Sequence, residues 1–359
     1  MKNVIVHALL AIVGLSWAYR VWTSEQETER PSAEVEVIPC ADRDFQRVEL
    51  RTPHKKVILQ RRHSDGEQVS WLQSIVLQKG KATTRKEFAG NKDADEYINE
   101  ITPLRALRSL GKVDPKALDE LGLKKPDIQL TLKCNNRTHT LSVGGSTFGS
   151  ADRYAQVGKN GVAVLLKSDL IQTLESADTR LMQRKMQRFE LNDIDEIRVI
   201  VGKKSRTLWQ RDRRDAQRAQ WVDKSKPDQR NELYGNWLRA VDALQVSDYL
   251  PPKVEPGQEG KGIAKTKARV LELVYTKEGA IKGTLRIDRV DGPTPEYFAQ
   301  SGATHSWVRL VASSAKRVVE DAAVVVNGQS APARNQPPQH QPPLQSLPHS
   351  PSAPPPAHP

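Results

Sequence analysis

A stretch of this chain is written twice, and that limits the possible folds more than any other feature. DFQRVELRTPHKKVILQRR from Asp44 is matched by DIDEIRVIVGKKSRTLWQR from Asp193, and a tryptophan follows each by about ten residues, Trp71 and Trp221. Both copies have the period of a β-hairpin. Val48 and Leu50 alternate with Arg47, Glu49 and Arg51, and Val57 and Leu59 with Lys56 and Gln60; in the second copy Ile197, Val199 and Val201 precede Leu208. Gln60-Arg61 and Gln210-Arg211 fall within a residue of the same place.

The match continues in order. LRALRSL at Leu104 to Leu110 reappears as LRAVDAL at Leu238 to Leu244, where Leu233, Trp237, Val241 and Leu244 form an apolar helical face. A helix is therefore expected after each tryptophan, kinked or begun at Pro103 with Thr102 as N-cap in the first copy. Ile128 to Lys133 and Arg137 to Val143 read as a hairpin turned by Asn135-Asn136, with Val270 to Tyr275 and Gly283 to Ile287 as counterparts. Tyr154-Ala155-Gln156 answers Phe298-Ala299-Gln300. A strand around Val162 to Leu166 answers one around Trp307 to Val311, and each runs into a serine-initiated helix near Ser168 or Ser314.

The expected unit is hairpin, tryptophan, helix, hairpin, strand pair and short helix, with short links that favour antiparallel pairing. The sequence predicts an α+β fold: two tandem copies of an antiparallel-sheet-plus-helices module behind one N-terminal transmembrane helix. The divisions are anchor 1–22, linker 23–43, first repeat 44–179, connector 180–192, second repeat 193–327 and a disordered proline-rich tail 328–359. The connector LMQRKMQRF is basic, and Leu250 to Lys267 reads as an insertion where the first copy has a compact turn.

The ends set the compartment. Val4 to Trp22 would reach about 28 Å as a helix, just enough to span a bilayer. Trp17, Tyr19 and Trp22 gather at one end, as in an interfacial belt, while Lys2 marks the other as cytoplasmic. The expectation is a single pass through the inner (cytoplasmic) membrane, N-terminus inside and bulk extracytoplasmic. Ser16 and Ala18 also fit signal-peptide cleavage after Ala18. The two cysteines, Cys40 and Cys134, are too few for a paired-thiol motif or a four-cysteine zinc site. In an oxidising compartment they could form one disulfide; two unpaired thiols fit the sequence equally, since it gives no Cα separation.

DPKALDELGLKKP, from Asp114 to Pro126, is a short helix with Asp114 as N-cap, Pro115 at its first position and Gly122 as its stop. Its LGL-x-x-P element, the threonine-rich strand after it, the GG-x-x-x-G turn at Gly144 to Gly149, Tyr154 and LMQRKMQRFELNDIDEIRV resemble the domain-of-unknown-function family numbered 4340. The resemblance runs from about Val48 to Val311. It implies one N-terminal membrane segment and an extracytoplasmic accessory role beside a gliding-type ABC transporter, by association alone. It carries over no catalytic residue.

No motif argues for chemistry. The Gly144 to Ser150 turn lacks the lysine of a phosphate loop, His54, His63, His139 and His305 are scattered, and neither HExxH nor G-x-S-x-G occurs. Asp195 and Glu196 alternate onto opposite faces of a strand, and Trp71 and Trp221 read as core anchors. No enzyme, cofactor or metal site is expected. Lys+Arg 55 against Asp+Glu 43 gives +12, with basic runs at hairpin ends but no aromatic interleaving of the kind that binds nucleic acid, which is therefore not expected as a partner. The candidate partner-binding residues are Arg61, Arg62, Arg211 and Arg213. The expected function is non-catalytic interaction with a membrane partner, suspected to be an ABC-type permease. The alternative is a binding module for an anionic lipid headgroup or cell-wall polymer.

Overall fold

The computed structural model describes residues 34–64, 66–159, 161–213, 219–251, 254–258 and 266–328. Both the segment expected to anchor the chain and nearly all of the expected tail lie outside them, and no described helix is long and apolar enough to cross a membrane. The architecture is α+β and mostly antiparallel.

In the first sheet, β2 (Phe45–Arg51) and β3 (Lys55–Ser64) form the expected hairpin, extended by β4 (Glu67–Gln78) and β5 (Lys81–Ala89). On the other side of β2 come β8 (Ile128–Cys134), β9 (Arg137–Ser146), β10 (Arg153–Val157) and β11 (Ala163–Leu166), closed by β7 (Arg108–Gly111). Asn135 and Asn136 turn β8 into β9 with φ of 46° and 62°, the left-handed region their short polar side chains tolerate. The second sheet holds β12 (Glu196–Val201), β13 (Lys204–Arg211), β14 (Gln220–Asp223), β15 (Val246–Tyr249), β16 (Lys267–Lys277), β17 (Ala280–Val290), β18 (Glu296–Ser301) and β19 (Val308–Leu310). Inward from β4 the first sheet runs β4-β3-β2-β8-β9-β10-β11-β7, and the second runs β14-β13-β12-β16-β17-β18-β19-β15. The strands stand in the same succession, position by position; β5 is extra.

Six α-helices are described, and they place the core. Helix α1 (Lys92–Ile101) starts on Asn91, whose side chain accepts from the Ala94 N–H at 3.1 Å, and buries Ala94, Tyr97, Ile98 and Ile101. Helix α2 (Pro115–Glu120) is capped as the sequence predicts, with Asp114 accepting from the Ala117 N–H at 2.7 Å. Helix α3 (Ser168–Glu175) and helix α4 (Ala177–Arg180) complete the first lobe; α5 (Glu232–Asp242) and α6 (Ala312–Asn327) serve the second, joined where Trp237 Nε1 donates to the Val318 carbonyl at 2.9 Å. One hydrophobic core runs through both lobes.

Several expectations need correction. LRALRSL is not helical: the helix ends before Pro103, because a residue preceding proline disfavours the α region, and Leu104–Ala106 forms β6 with Leu104 and Ala106 buried around exposed Arg105. The shared LRA triplet therefore pairs a strand with a helix, and the true counterpart of α5 in chain order is α1. Residues 23–43 are not all linker, since β1 (Val35–Ile38) pairs with β6 and a 3-10 turn (Asp42–Asp44) follows. Of the two serine-initiated helices, α3 does begin at Ser168, whose N–H the Asp152 carboxylate takes at 3.1 Å, whereas α6 begins at Ala312, ahead of Ser314. The stretches 112–127 and 250–266 are nearly equal in length, so the latter is no insertion.

Trp71 and Trp221 are both buried, at 8% exposure, and stand opposite Gln60 and Gln210. They are nevertheless not in equivalent places. Gln60 follows core Leu59 by one residue and Gln210 follows core Leu208 by two, and one residue of slip exchanges the faces of a strand.

The cysteines are joined. Cys40, just after β1, is bonded to Cys134 at the end of β8, with Cα atoms 5.9 Å apart, a sequence separation of 94, and both side chains buried. Closing a loop of that length restricts the unfolded chain, and the double substitution Cys40→Ser with Cys134→Ser should cost about 4 kcal/mol. Urea unfolding of the two proteins measures this; an unchanged midpoint would show that the link contributes nothing to stability.

Candidate functional site

The four arginines singled out in the sequence are already occupied. Arg61 and Arg62 lie within β3 rather than at its turn and, as strand neighbours, leave on opposite faces. Arg61 donates to the Asp42 carbonyl at 2.8 Å and to its carboxylate at 3.0 Å, stands over the Phe45 ring at 5.7 Å, and is 16% exposed. Arg62 stacks over Trp71 at 5.0 Å and pairs with Glu87 at 3.6 Å. Arg211, the last residue of β13, reaches Asp212 at 3.3 Å and Asp228 at 3.6 Å and donates to the Pro227 carbonyl at 3.2 Å; Arg213 pairs with Asp195. No described contact joins the first pair to the second.

What the structure does assemble is a cleft at the lobe junction. Residues 181–190 leave α4 and pass between the end of β5 and the start of β15. Met182 bridges to Gly90 and the Gln183 N–H donates to the Ala89 carbonyl at 2.9 Å; Lys185 bridges to Gln245 and the Val246 N–H donates to the Arg184 carbonyl at 3.2 Å. The segment acts as a short strand with a sheet edge on either hand. Leu181, Met182 and Met186 are buried beneath it. Phe189 lies edge-on to Tyr275 at 5.2 Å and close against Gly283, where a Cβ would come within 2.9 Å of its ring.

Polar side chains fasten the same seam. Tyr249 Oη donates to the Gln183 carbonyl at 2.9 Å, and its ring lies 6.1 Å from that of Phe88. Lys86 pairs with Asp248 at 3.1 Å. Arg188 donates to the Gly90 carbonyl at 2.6 Å and pairs with Asp95 at 3.6 Å, while Arg184 donates to the Val246 and Asp178 carbonyls at 3.3 and 3.2 Å. The cleft beside these struts has a volume of about 660 Å³ and exposes Lys92, Asp93, Arg180, Lys185 and Glu190.

Its titration is equally structural. Burial pushes the Tyr249 and Tyr275 phenols up, so both remain neutral, and Tyr249 keeps the proton it donates to the Gln183 carbonyl. Asp242, which ends α5, is pushed up by burial and by Glu190, with Lys185 pulling it partly back. Among the described residues no group of three or more His, Cys, Asp or Glu side chains could hold a metal. The surface offers mixed charge on a fixed frame. The basic character of the connector is plain in the sequence, but its strand pairing is not; Met182 and Met186 between basic residues are the one signal of it.

Residues 91–261 match the family described as Domain of unknown function (DUF4340), and the resemblance read from the motifs holds over that stretch. It begins at the cap of α1 and includes every residue lining the cleft. No curated protein and no solved structure matches the chain.

Two outcomes follow for the titratable and basic groups. Arg61→Glu should lower stability by about 2 kcal/mol through loss of charge-assisted bonds, while Arg211→Glu, at a half-buried side chain whose carboxylate partners are exposed, should lower it less, by about 0.5 to 1 kcal/mol; equal midpoints in urea would refute the difference. A raised carboxyl pKa means that the folded state holds its proton more tightly than the unfolded chain, so Asp242 lowers stability as pH rises through the carboxylate range. Asp242→Asn should therefore raise the melting temperature at neutral pH and leave it unchanged in acid, where both side chains are uncharged.

Proposed function

We propose that this chain, with its DUF4340 stretch running across the lobe junction, is a non-catalytic, membrane-anchored extracytoplasmic protein that binds a membrane partner, an ABC-type permease by the family resemblance. The observation that carries this reading is the seam itself. Two sheets joined through one paired segment and one core form a rigid body with a broad polar face, as an accessory subunit needs. The body is two copies of one module. Supporting this are the identical strand succession and the buried Ala155 and Ala299 at matching positions of β10 and β18. The Cys40–Cys134 bond supports placement outside the cytoplasm, since such bonds persist in oxidising compartments. The rival reading, an anionic-ligand module built on the four arginines, draws less support because each guanidinium already has an internal partner.

Alkaline carbonate extraction should leave the full chain in the membrane pellet, and a mild-detergent pull-down should recover a multi-span permease with its ATPase. Deleting Ala331 to Pro359 should leave that capture intact. Release into the carbonate supernatant would sink the anchor. Recovery of no membrane protein, with saturable binding of an anionic glycan instead, would favour the rival.

A further inference from the structure

One end of the first sheet is a row of turns, and the turn between β9 and β10 carries Phe148, whose side chain is fully exposed. Exposure of a phenylalanine at a tip leaves its apolar surface in water unless something covers it. The tip is firmly built. The Thr147 N–H donates to the Asp152 carbonyl at 2.8 Å, and the Gly145 N–H to the Leu121 carbonyl at 2.9 Å. Gly144 lies so close to that carbonyl that a Cβ would stand 2.3 Å from it. The ring is thus held outward on a fixed support.

Register shows what shares this end. Arg51 pairs with Gln129, and Gln129 with Ser142, so the β2–β3 turn lies at the same end of the sheet as the β9–β10 turn, with β9 running on beyond Ser142 to Ser146. Lys55 pairs with Val76, which brings Lys79 and Lys81 of the β4–β5 turn to the same end, and Lys125 lies in the loop leading into β8. Among the described residues Arg51, Lys79, Lys81 and Lys125 have no ion pair. The first described residue also lies here: Arg153 pairs with Leu166, and the next residue, Lys167, binds Glu34 at 2.6 Å. Eleven residues, 23–33, separate Glu34 from Trp22 at the end of the apolar segment.

We infer that this turn-bearing end docks on the surface of an anionic bilayer, Phe148 entering the boundary between headgroups and acyl chains while Arg51, Lys79, Lys81 and Lys125 meet headgroup phosphates. An exposed aromatic at the same sheet end as a set of unpaired cations is the chemistry of an interfacial contact. The inference rests on the anchored reading above, which brings the bilayer to Glu34. It assigns a face to the body, so that the junction and second lobe remain available to a partner.

The test uses the full chain with Phe148→Cys, labelled with an environment-sensitive fluorophore, and Glu67→Cys as the control at the opposite end of the same sheet. Both are bound to vesicles of phosphatidylglycerol mixed with phosphatidylcholine, floated on a density gradient, and challenged with spin-labelled lipid and with aqueous iodide. The expected result is flotation of both, with lipid quenching and iodide protection at 148 alone. Phosphatidylcholine vesicles, or Lys79→Glu, Lys81→Glu and Lys125→Glu together, should abolish the protection at 148 without abolishing flotation. A protein that floats with both probes open to iodide overturns the docking and leaves the anchor standing. One that fails to float on either vesicle overturns both. Protection in native membranes but not on protein-free vesicles would assign Phe148 to a protein partner and likewise overturn the inference.

Discussion

Between Ala89 and Val246 the backbone of residues 182–185 is hydrogen-bonded on both sides, to the end of β5 on one and to the start of β15 on the other. Two antiparallel sheets each end in an edge whose unpaired groups would otherwise face solvent or another chain. The connector satisfies part of both edges with a single strand-like segment. Leu181, Met182 and Met186 then make the core continuous beneath it, so relative motion of the lobes would break backbone pairing as well as apolar packing. A plain linker would have left hinge motion as the default. Here the seam determines that the molecule presents one surface.

The same seam explains how a chain with an excess of twelve positive charges has so few free ones where they were first sought. Arg184 and Arg188 direct their donors at backbone carbonyls, Arg61 at Asp42, and Arg213 at Asp195. Guanidinium suits this work because its planar fork can serve several acceptors without losing charge. Basic residues counted in a sequence are thus a poor measure of basic surface. The cations that remain unpaired include the lysines of tight turns, where no neighbouring strand offers a carboxylate.

How much of this was legible follows from which interactions are local. The hairpins β2–β3 and β8–β9, the Asn135-Asn136 turn and the Asp114 cap depend on residues close in sequence, and period and turn chemistry specify them. The DUF4340 motifs were legible for the same reason. What could not be read depends on distant partners. Leu104–Ala106 is a strand because β1, far back in the chain, lies beside it, and the three-letter identity with α5 concealed this. The Ser168 N–H that opens α3 is taken by the Asp152 carboxylate, from the turn before β10. The occupation of Arg61 and the pairing of the connector likewise depend on residues that sequence proximity does not bring together.

The extra strand of the first sheet follows from the same constraint. Without β5, β4 would be the edge, as β14 is in the second sheet, and the connector would have no Ala89 or Gly90 to pair with. With it, Phe88 is carried out to Tyr249 and Lys86 to Asp248, and the two lobes meet through a strand that only one of them has. The rest of β5, Lys81 to Lys86, is exposed and carries three cations, which discourages another chain from adding to that edge. In the second lobe the connector meets β15, the edge opposite β14, so the two edges it joins are unlike ones, and the extra strand supplies the first lobe's side of the seam.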